Sequence, residues 1–262
     1  MERVFKALDE FSRVMRNFQV REVYAVGTGL VREAENREAF LEGVYEHAGI
    51  RVKPIRGEEE AWLTGKGVLH ALDMGKNPFL IFDLGGGSTE FLLGMGENRE
   101  AKSIPLGAMT LTRGYLKTDP PADEELAAAS LHIDEGLRNA FSAVQDGLGS
   151  RSLIGTGGTV ATLAAMLEGI SPEDLDPQKV NGLSLEKMRI EALYGKMKSL
   201  SLEERVRLPG LDEGRADVIL AGALVVIRIL NFFGSLQLTA CMSDLLEGIL
   251  IDHLTGVGNE RT

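Results

Sequence analysis

Val4, Phe5, Leu8, Phe11, Met15 and Phe18 recur at three- and four-residue spacing, so the chain is predicted to open on an amphipathic helix. "EVYAV" (22–26) reads as a short buried strand, and 37–49 as a helix ending at Gly49. "RVKPI" (51–55) is a strand or an edge segment. Residues 58–72 predict a helix with acids in its first turn, where the helix dipole favours them. "FLIFDL" (79–84) and "FLLGMG" (91–96) are apolar strands flanking a glycine-rich turn. Strands alternating with helices predict an α/β fold.

After residue 96 the pattern changes. Residues 106–116 and 123–148 read as helices, "RSLIG" (151–155) as a strand, and "GTGGT" (155–159) as a second glycine turn opening a helix. Further helices are predicted at 183–200 and 214–234, the latter apolar nearly all round and so placed at a core. "SLQLTA" (235–240) is a last strand and 244–256 a closing helix. These elements predict two α/β lobes joined near 94–98, each with a glycine turn at a strand end. The first lobe is expected over 1–95, completed by the C-terminal helix 245–262, and the second over 96–244.

Composition narrows the function. With 28 Lys plus Arg against 39 Asp plus Glu, the net charge is −11, a poor match for general nucleic-acid or anionic-membrane binding. A phosphate-rich ligand therefore has to be met by a local cluster, a metal ion or backbone amides. The single cysteine, Cys241, rules out an intramolecular disulfide and reads as a buried inert thiol. His47, His70, His132 and His253 are scattered, without metal-ligand spacing. The N-terminus lacks the apolar core of a signal peptide, and no run reaches the ~18 apolar residues of a membrane span. A soluble cytoplasmic protein is expected.

The candidate chemistry sits at the two glycine turns. Asp83-Leu84-Gly85-Gly86-Gly87-Ser88-Thr89 and Gly155-Thr156-Gly157-Gly158-Thr159 each strip side chains from backbone amides at a strand end. Such turns bind phosphate oxygens, and a following helix N-terminus adds a favourable dipole. The bland alternatives are a tight hairpin for the first and an ordinary helix start for the second. Neither has P-loop or dinucleotide-binding spacing.

"DLGGGSTE", "GTGGT", "VGTGLVREAENREAF", "RGEEEA" and "GRADVILAGA" together resemble the exopolyphosphatase and guanosine pentaphosphate phosphatase (Ppx/GppA) family, within the actin-like, hexokinase-like phosphotransfer superfamily. The resemblance runs from about residue 20 to the end. It implies a two-lobed fold with ribonuclease-H-like cores, a cleft between the lobes, and hydrolysis of the terminal phosphoanhydride of polyphosphate or pppGpp with Mg²⁺ (or Mn²⁺). It matches Glu60 to the family's general base, where the alternative is a helix cap. Arg32 matches an arginine near phosphate; the alternative is an ion pair with Glu33 or Glu35. Asp83, at a strand end, suits a Mg²⁺ ligand, and the family pattern gives Glu90 on the returning strand a metal-associated role. Gly85, Gly86, Gly87 and Ser88, with Gly157, Gly158 and Thr159, are the expected phosphate cradles.

Other features read more plainly. The locally basic stretch from Lys179 to Arg207 is either a polyanion path or a set of solvated helix faces. Arg215 and Asp217 start a core helix and are candidates to face the cleft. Ser243-Asp244 reads as an N-cap. The family's opening D-x-G-S-N-S strand and loop is not in this chain, so the first lobe is expected to be incomplete at its N-terminus, with bared strand edges and apolar surface. A fragment or misplaced start, strands supplied by another chain, and a degenerate relative that only binds are the three explanations. Retention of Glu60, Asp83 and Glu90 favours the first. The competing functions are a metal-dependent phosphoanhydride hydrolase, a non-catalytic polyphosphate- or nucleotide-binding regulatory module, and an actin-like ATPase or kinase with a nucleoside pocket behind "GTGGT". Family members often dimerise, which makes a homodimer an implied partner.

Overall fold

The computed structural model describes residues 2–74, 77–95, 98–142 and 151–259. The chain divides into two compact units, Met1–Glu60 and Ala61–Thr262.

The first unit opens on the expected amphipathic helix, α1 (Glu2–Asn17). Short strand β1 (Ala25–Gly27), α2 (Gly29–Glu33), α3 (Arg37–Ala48) and β2 (Val52–Pro54) follow. Helix α4 (Gly57–Ala71) begins in this unit and continues into the next. Phe5 of α1 stacks on Phe40 of α3 with ring centroids 6.5 Å apart. Strands β1 and β2 pair in parallel, Ala25 opposite Val52, and form a sheet of two strands. Parallel sheets are normally covered on both faces. Here only Val44 and Ile55 among the unit's apolar side chains are buried, while Phe11 and Phe18 are exposed. An apolar hollow of about 350 Å³ lies among α1, β1 and α3, lined by Leu8, Met15, Val26 and Phe40.

In the second unit a sheet of six strands runs in the order β5-β4-β3-β6-β8-β7. The strands are β3 (Phe79–Leu84), β4 (Thr89–Met95), β5 (Asn98–Ile104), β6 (Ser152–Thr156), β7 (Ser184–Glu186) and β8 (Gln237–Ala240). Pairing is antiparallel across β3–β4–β5 and β7–β8, and parallel across β3–β6–β8. The helices are α5 (Ala108–Tyr115), α6 (Asp123–Ala140), α7 (Gly158–Glu168), α8 (Pro177–Val180), α9 (Lys187–Met197), α10 (Leu202–Arg205), α11 (Ile219–Phe232) and α12 (Leu245–Asn259).

Strand β3 shows why its sequence reads as a continuous apolar run. Successive strand residues point to opposite faces. Leu80, Phe82 and Leu84 enter the large core with residues of α5, α6, α7, α9 and α11, while Phe79 and Ile81 join Val68 of α4, Ile154 and Cys241 on the other face. Both faces are covered. Asp83 continues the second set, so its carboxyl lies on the α4 face. Helix α11 is buried along most of its length, as its all-round apolar sequence predicted.

Three expectations change here. The joint expected near 94–98, part of which falls outside the described residues, is not where the chain divides, because β3 and β4 share a sheet with β6 and β8. Both glycine turns therefore belong to the second unit, not one to each lobe. The closing helix is also part of that unit: α12 crosses α4 with Gly248 against the Leu63 carbonyl and Gly67 against that of Asp244. Residues 143–148 of the helix predicted over 123–148 lie outside the described residues.

Candidate functional site

The register of the sheet assembles one row of side chains. Thr156 on β6 lies opposite Asp83 on β3, Asp83 opposite Glu90 on β4, and Glu90 opposite Ser103 on β5. Register partners share a sheet face. Glu90 is buried and accepts a hydrogen bond from Ser103 Oγ at 2.7 Å. Thr156 Oγ1 donates to the Ser243 carbonyl. Asp83, only partly buried, accepts a long hydrogen bond of 3.5 Å from Thr64 of α4. Burial, then the charges of Glu90 and Asp244, push the Asp83 carboxyl up to about 7. Asp244 is itself raised by burial, and it caps α12 by accepting from the Leu246 amide at 2.9 Å, as expected.

The first glycine turn joins β3 to β4. Its carbonyls are tied down: Ala108 N donates to Gly85 O at 3.0 Å, and Met109 N to Gly86 O at 2.9 Å. In a planar trans peptide the N–H points opposite to the C=O. The amides of Gly86 and Gly87 therefore face away from α5. No backbone hydrogen bond among the described residues uses the amides of Gly86, Gly87 or Ser88. A Cβ on Gly87 would meet nothing within 4 Å, and one on Gly86 only Met109, at 3.5 Å. Neither glycine has a left-handed φ. Among the described residues, no close contact and no left-handed φ requires glycine at these two positions.

The second turn differs. Gly157 has φ +88°, and a Cβ there would lie 2.5 Å from Asp83 Oδ1. The turn is thus pressed directly onto the carboxylate that ends the first. A Cβ on Gly158 would strike the guanidinium of Arg215, which stands over the first turn of α7. Among the described residues the Arg215 side chain has no ion-pair or hydrogen-bond partner. Behind the turn lies a cavity of about 260 Å³, bounded by Ala161, Leu175, Asp212, Arg215, Met242 and Asp244. Thr159 is placed otherwise than a cradle hydroxyl: it is buried, with its side chain packed at Gly222 of α11. Only its amide, in the first turn of α7, remains for an anion.

In the first unit, Arg32 donates to the Ile55 carbonyl at 2.9 Å and pairs with Glu33 at 3.5 Å and Glu60 at 3.7 Å. Glu60 is buried in the first turn of α4, whereas Glu59 is drawn off by Lys53 at 2.6 Å. The three neighbouring acids are therefore not equivalent. The guanidinium lies beside Glu60, and the ion pair expected of Arg32 is present with Glu33.

Thr64, Ser103 and Arg215's position over Gly158 are the parts that sequence reasoning missed or left open. Thr64 carried one signal, a hydroxyl amid the apolar residues of α4. The basic stretch resolves into surface pairs, Arg189–Glu168, Lys187–Glu191, Lys198–Asp123 and Arg207–Glu203, so most of its cations are matched by acids. Cys241 is buried and its thiol is pushed up to about 11, mainly by that burial, which suits an inert role.

For a divalent cation, the donor set is the relevant observation. Glu90 and Asp244 add to the cost of ionising Asp83, and no cation among the described residues offsets it there. No three His, Cys, Asp or Glu among the described residues form a closed cage. Mg²⁺ does not require one, since it binds through one or two carboxylates and keeps water and phosphate oxygens for the rest. The residues fit such an ion.

A model of the Ppx/GppA phosphatase family matches residues 1–256. The chain is 30% identical over 254 residues to exopolyphosphatase 1 of Mycobacterium tuberculosis, covering 97% of this chain and 73% of that protein. It is 27% identical over 267 residues to the bifunctional 3-dehydroquinate synthase/phosphatase of Fusobacterium nucleatum, covering 99% of this chain but spanning only 39% of that longer protein. The crystal structure of the Ppx/GppA family member from Aquifex aeolicus superposes with a TM-score of 0.83 at 33% identity, over 97% of this chain and 81% of that one. The chain is a mixed α/β protein of actin-like fold and belongs to the Ppx/GppA phosphatase family.

Proposed function

We propose that this protein hydrolyses the terminal phosphoanhydride of inorganic polyphosphate or of guanosine pentaphosphate with a divalent metal, Mg²⁺ or Mn²⁺. One observation carries the reading: the amides of Gly86, Gly87 and Ser88 make no backbone hydrogen bond among the described residues, in the turn that directly follows Asp83 and Leu84. Three unused donors next to a hard anionic oxygen suit a metal-bound phosphoryl group.

In this reading those amides hold and orient the terminal phosphoryl oxygens; the Gly85 amide, expected in the cradle, is instead used to close the turn on the Ser88 carbonyl at 3.0 Å. The Gly158 and Thr159 amides and Arg215 take a further anionic group. Asp83 would hold the ion, and Glu90, fixed by Ser103, adds negative charge behind it. Bound there, the metal would supply neutralisation of the phosphoryl oxygens. Glu60 accepts the proton of an attacking water as its oxygen bonds to phosphorus, and the bond to the next phosphate breaks. Arg32 keeps the Glu60 carboxylate oriented at 3.7 Å.

The cavity behind the second turn favours a second reading, in which a nucleoside sits there and the substrate is a nucleotide, as in an ATPase or kinase. Phosphate release from polyphosphate, pppGpp and ATP, each with and without Mg²⁺, separates these. Release from polyphosphate or pppGpp that requires Mg²⁺ supports hydrolysis at a chain end. Release from ATP alone favours the second reading, and binding without any release leaves a regulatory module.

A further inference from the structure

Arg205 is the one buried cation among the described residues, 4% exposed. Its guanidinium reaches three separate segments. It donates to the Leu200 carbonyl at 3.0 Å, to the Ala216 carbonyl at 3.2 Å and to Asp119 Oδ1 at 3.4 Å. Asp119 in turn accepts from the Leu202 amide through both oxygens, at 2.8 and 3.0 Å. The Arg205 Nε has no partner. Burying a charge that is not fully satisfied is costly, and hydrophobic residues of similar size are often as stabilising. The fold alone therefore gives a weak reason for an arginine here.

What the guanidinium holds gives a stronger one. Ala216 follows directly on the 3-10 turn Glu213–Arg215, whose Asp212 and Arg215 border the cavity behind the second glycine turn. Arg215 is exposed and unpartnered, so no side-chain contact of its own fixes it over Gly158. Its backbone must do so. The next peptide carbonyl on is gripped by Arg205.

We infer that Arg205 is a positioning residue: by clamping the Ala216 carbonyl against Leu200 and Asp119, it holds Arg215 over the amides of Gly158 and Thr159, and so sets how tightly the site takes the inner phosphates of its substrate. This rests on the reading above, in which Arg215 meets an anion. A planar fork spans three acceptors, whereas a lysine ammonium on a flexible stem does not. Arg205→Lys keeps the charge near Asp119 and Leu200 and releases Ala216.

The test is equilibrium binding of tripolyphosphate with Mg²⁺ to the full chain, to Arg205→Lys, to Arg215→Ala and to the double variant, with thermal melting of each. The dissociation constant is expected to rise about tenfold for each single variant and no further for the double, because contacting residues that act through one another are not additive. A purely structural Arg205 would lower the melting temperature and weaken binding by the same factor with or without Arg215; multiplied effects overturn the inference. Binding by Arg205→Lys equal to wild type, while Arg215→Ala is weakened, also overturns it but leaves the reading of Arg215 standing. If Arg215→Ala binds like wild type, both fall. Should Arg205→Lys not fold, Asp119→Asn, which keeps an acceptor for Leu202 and loses the ion pair, is read in the same cycle and must show the same lack of additivity.

Discussion

The two glycine turns look alike in sequence and differ in what glycine does for each. In the first, neither Gly86 nor Gly87 has a left-handed φ, and a Cβ would meet only Met109 at ordinary contact distance on Gly86 and nothing within 4 Å on Gly87. In the second, Gly157 has φ +88° and a Cβ there would lie 2.5 Å from Asp83 Oδ1, and Gly158 lies under Arg215. On the proposed reading, the first turn is bare for the sake of a ligand. The second is bare because the chain itself needs the room, and it serves by bracing Asp83 and presenting a helix N-terminus.

The largest effect tests the chemistry that both turns are proposed to serve. Glu60→Gln should lower kcat by ~10²–10⁴ with little change in substrate binding, the usual span for a general base. Turnover within a few-fold of wild type would reduce Glu60 to a helix cap and leave the turns as binding elements only.

Next comes the first turn. Gly87→Val should weaken tripolyphosphate binding by about 10- to 100-fold, the worth of a hydrogen bond to a charged group, while melting stays at the wild-type temperature. Unchanged affinity would make this turn an ordinary hairpin.

Gly157→Ala should do the reverse. Forcing a Cβ into a left-handed position against Asp83 should destabilise the fold by about 1–3 kcal/mol, measured by urea denaturation. Retained stability would erase the contrast between the turns.

The smallest effect concerns Asp83. Its folded value of about 7 lies above the ordinary 3.8, so between those pH values the folded metal-free protein holds a proton that the unfolded chain has lost. Stability is then expected to fall as pH rises from about 4 to about 7, read as a lower melting temperature. Asp83→Asn should flatten that slope, and saturating Mg²⁺ should oppose it. A slope identical in the two proteins would mean that Asp83 is not the titrating group.

Much of this was legible in the chain. The run "FLIFDL" announced a strand covered on both faces with one carboxyl at its end, and α11 announced its burial by being apolar all round. Strand β5 was not legible, because an edge strand reading "NREAKSI" carries charge that guards it and looks like a loop. Strand β7 has only three residues and merges with the helix that follows. The lobe boundary was misplaced because a change of pattern after residue 96 does not reveal that β3 pairs in parallel with the distant β6. That same pairing puts Gly157 beside Asp83, a contact no local signal carries. Arg215 over Gly158 and Ser103 on Glu90 arise likewise from register and crossover.

The central claim is that the outward amides of the first turn receive a metal-bound phosphate. Backbone amide shifts of Gly86, Gly87 and Ser88, followed by ¹H–¹⁵N NMR during titration with tripolyphosphate and Mg²⁺, test it directly. The account predicts that these three amides move together and saturably, and that the response is lost in Asp83→Asn. Saturable binding that leaves them unmoved and shifts other parts of the chain would contradict it.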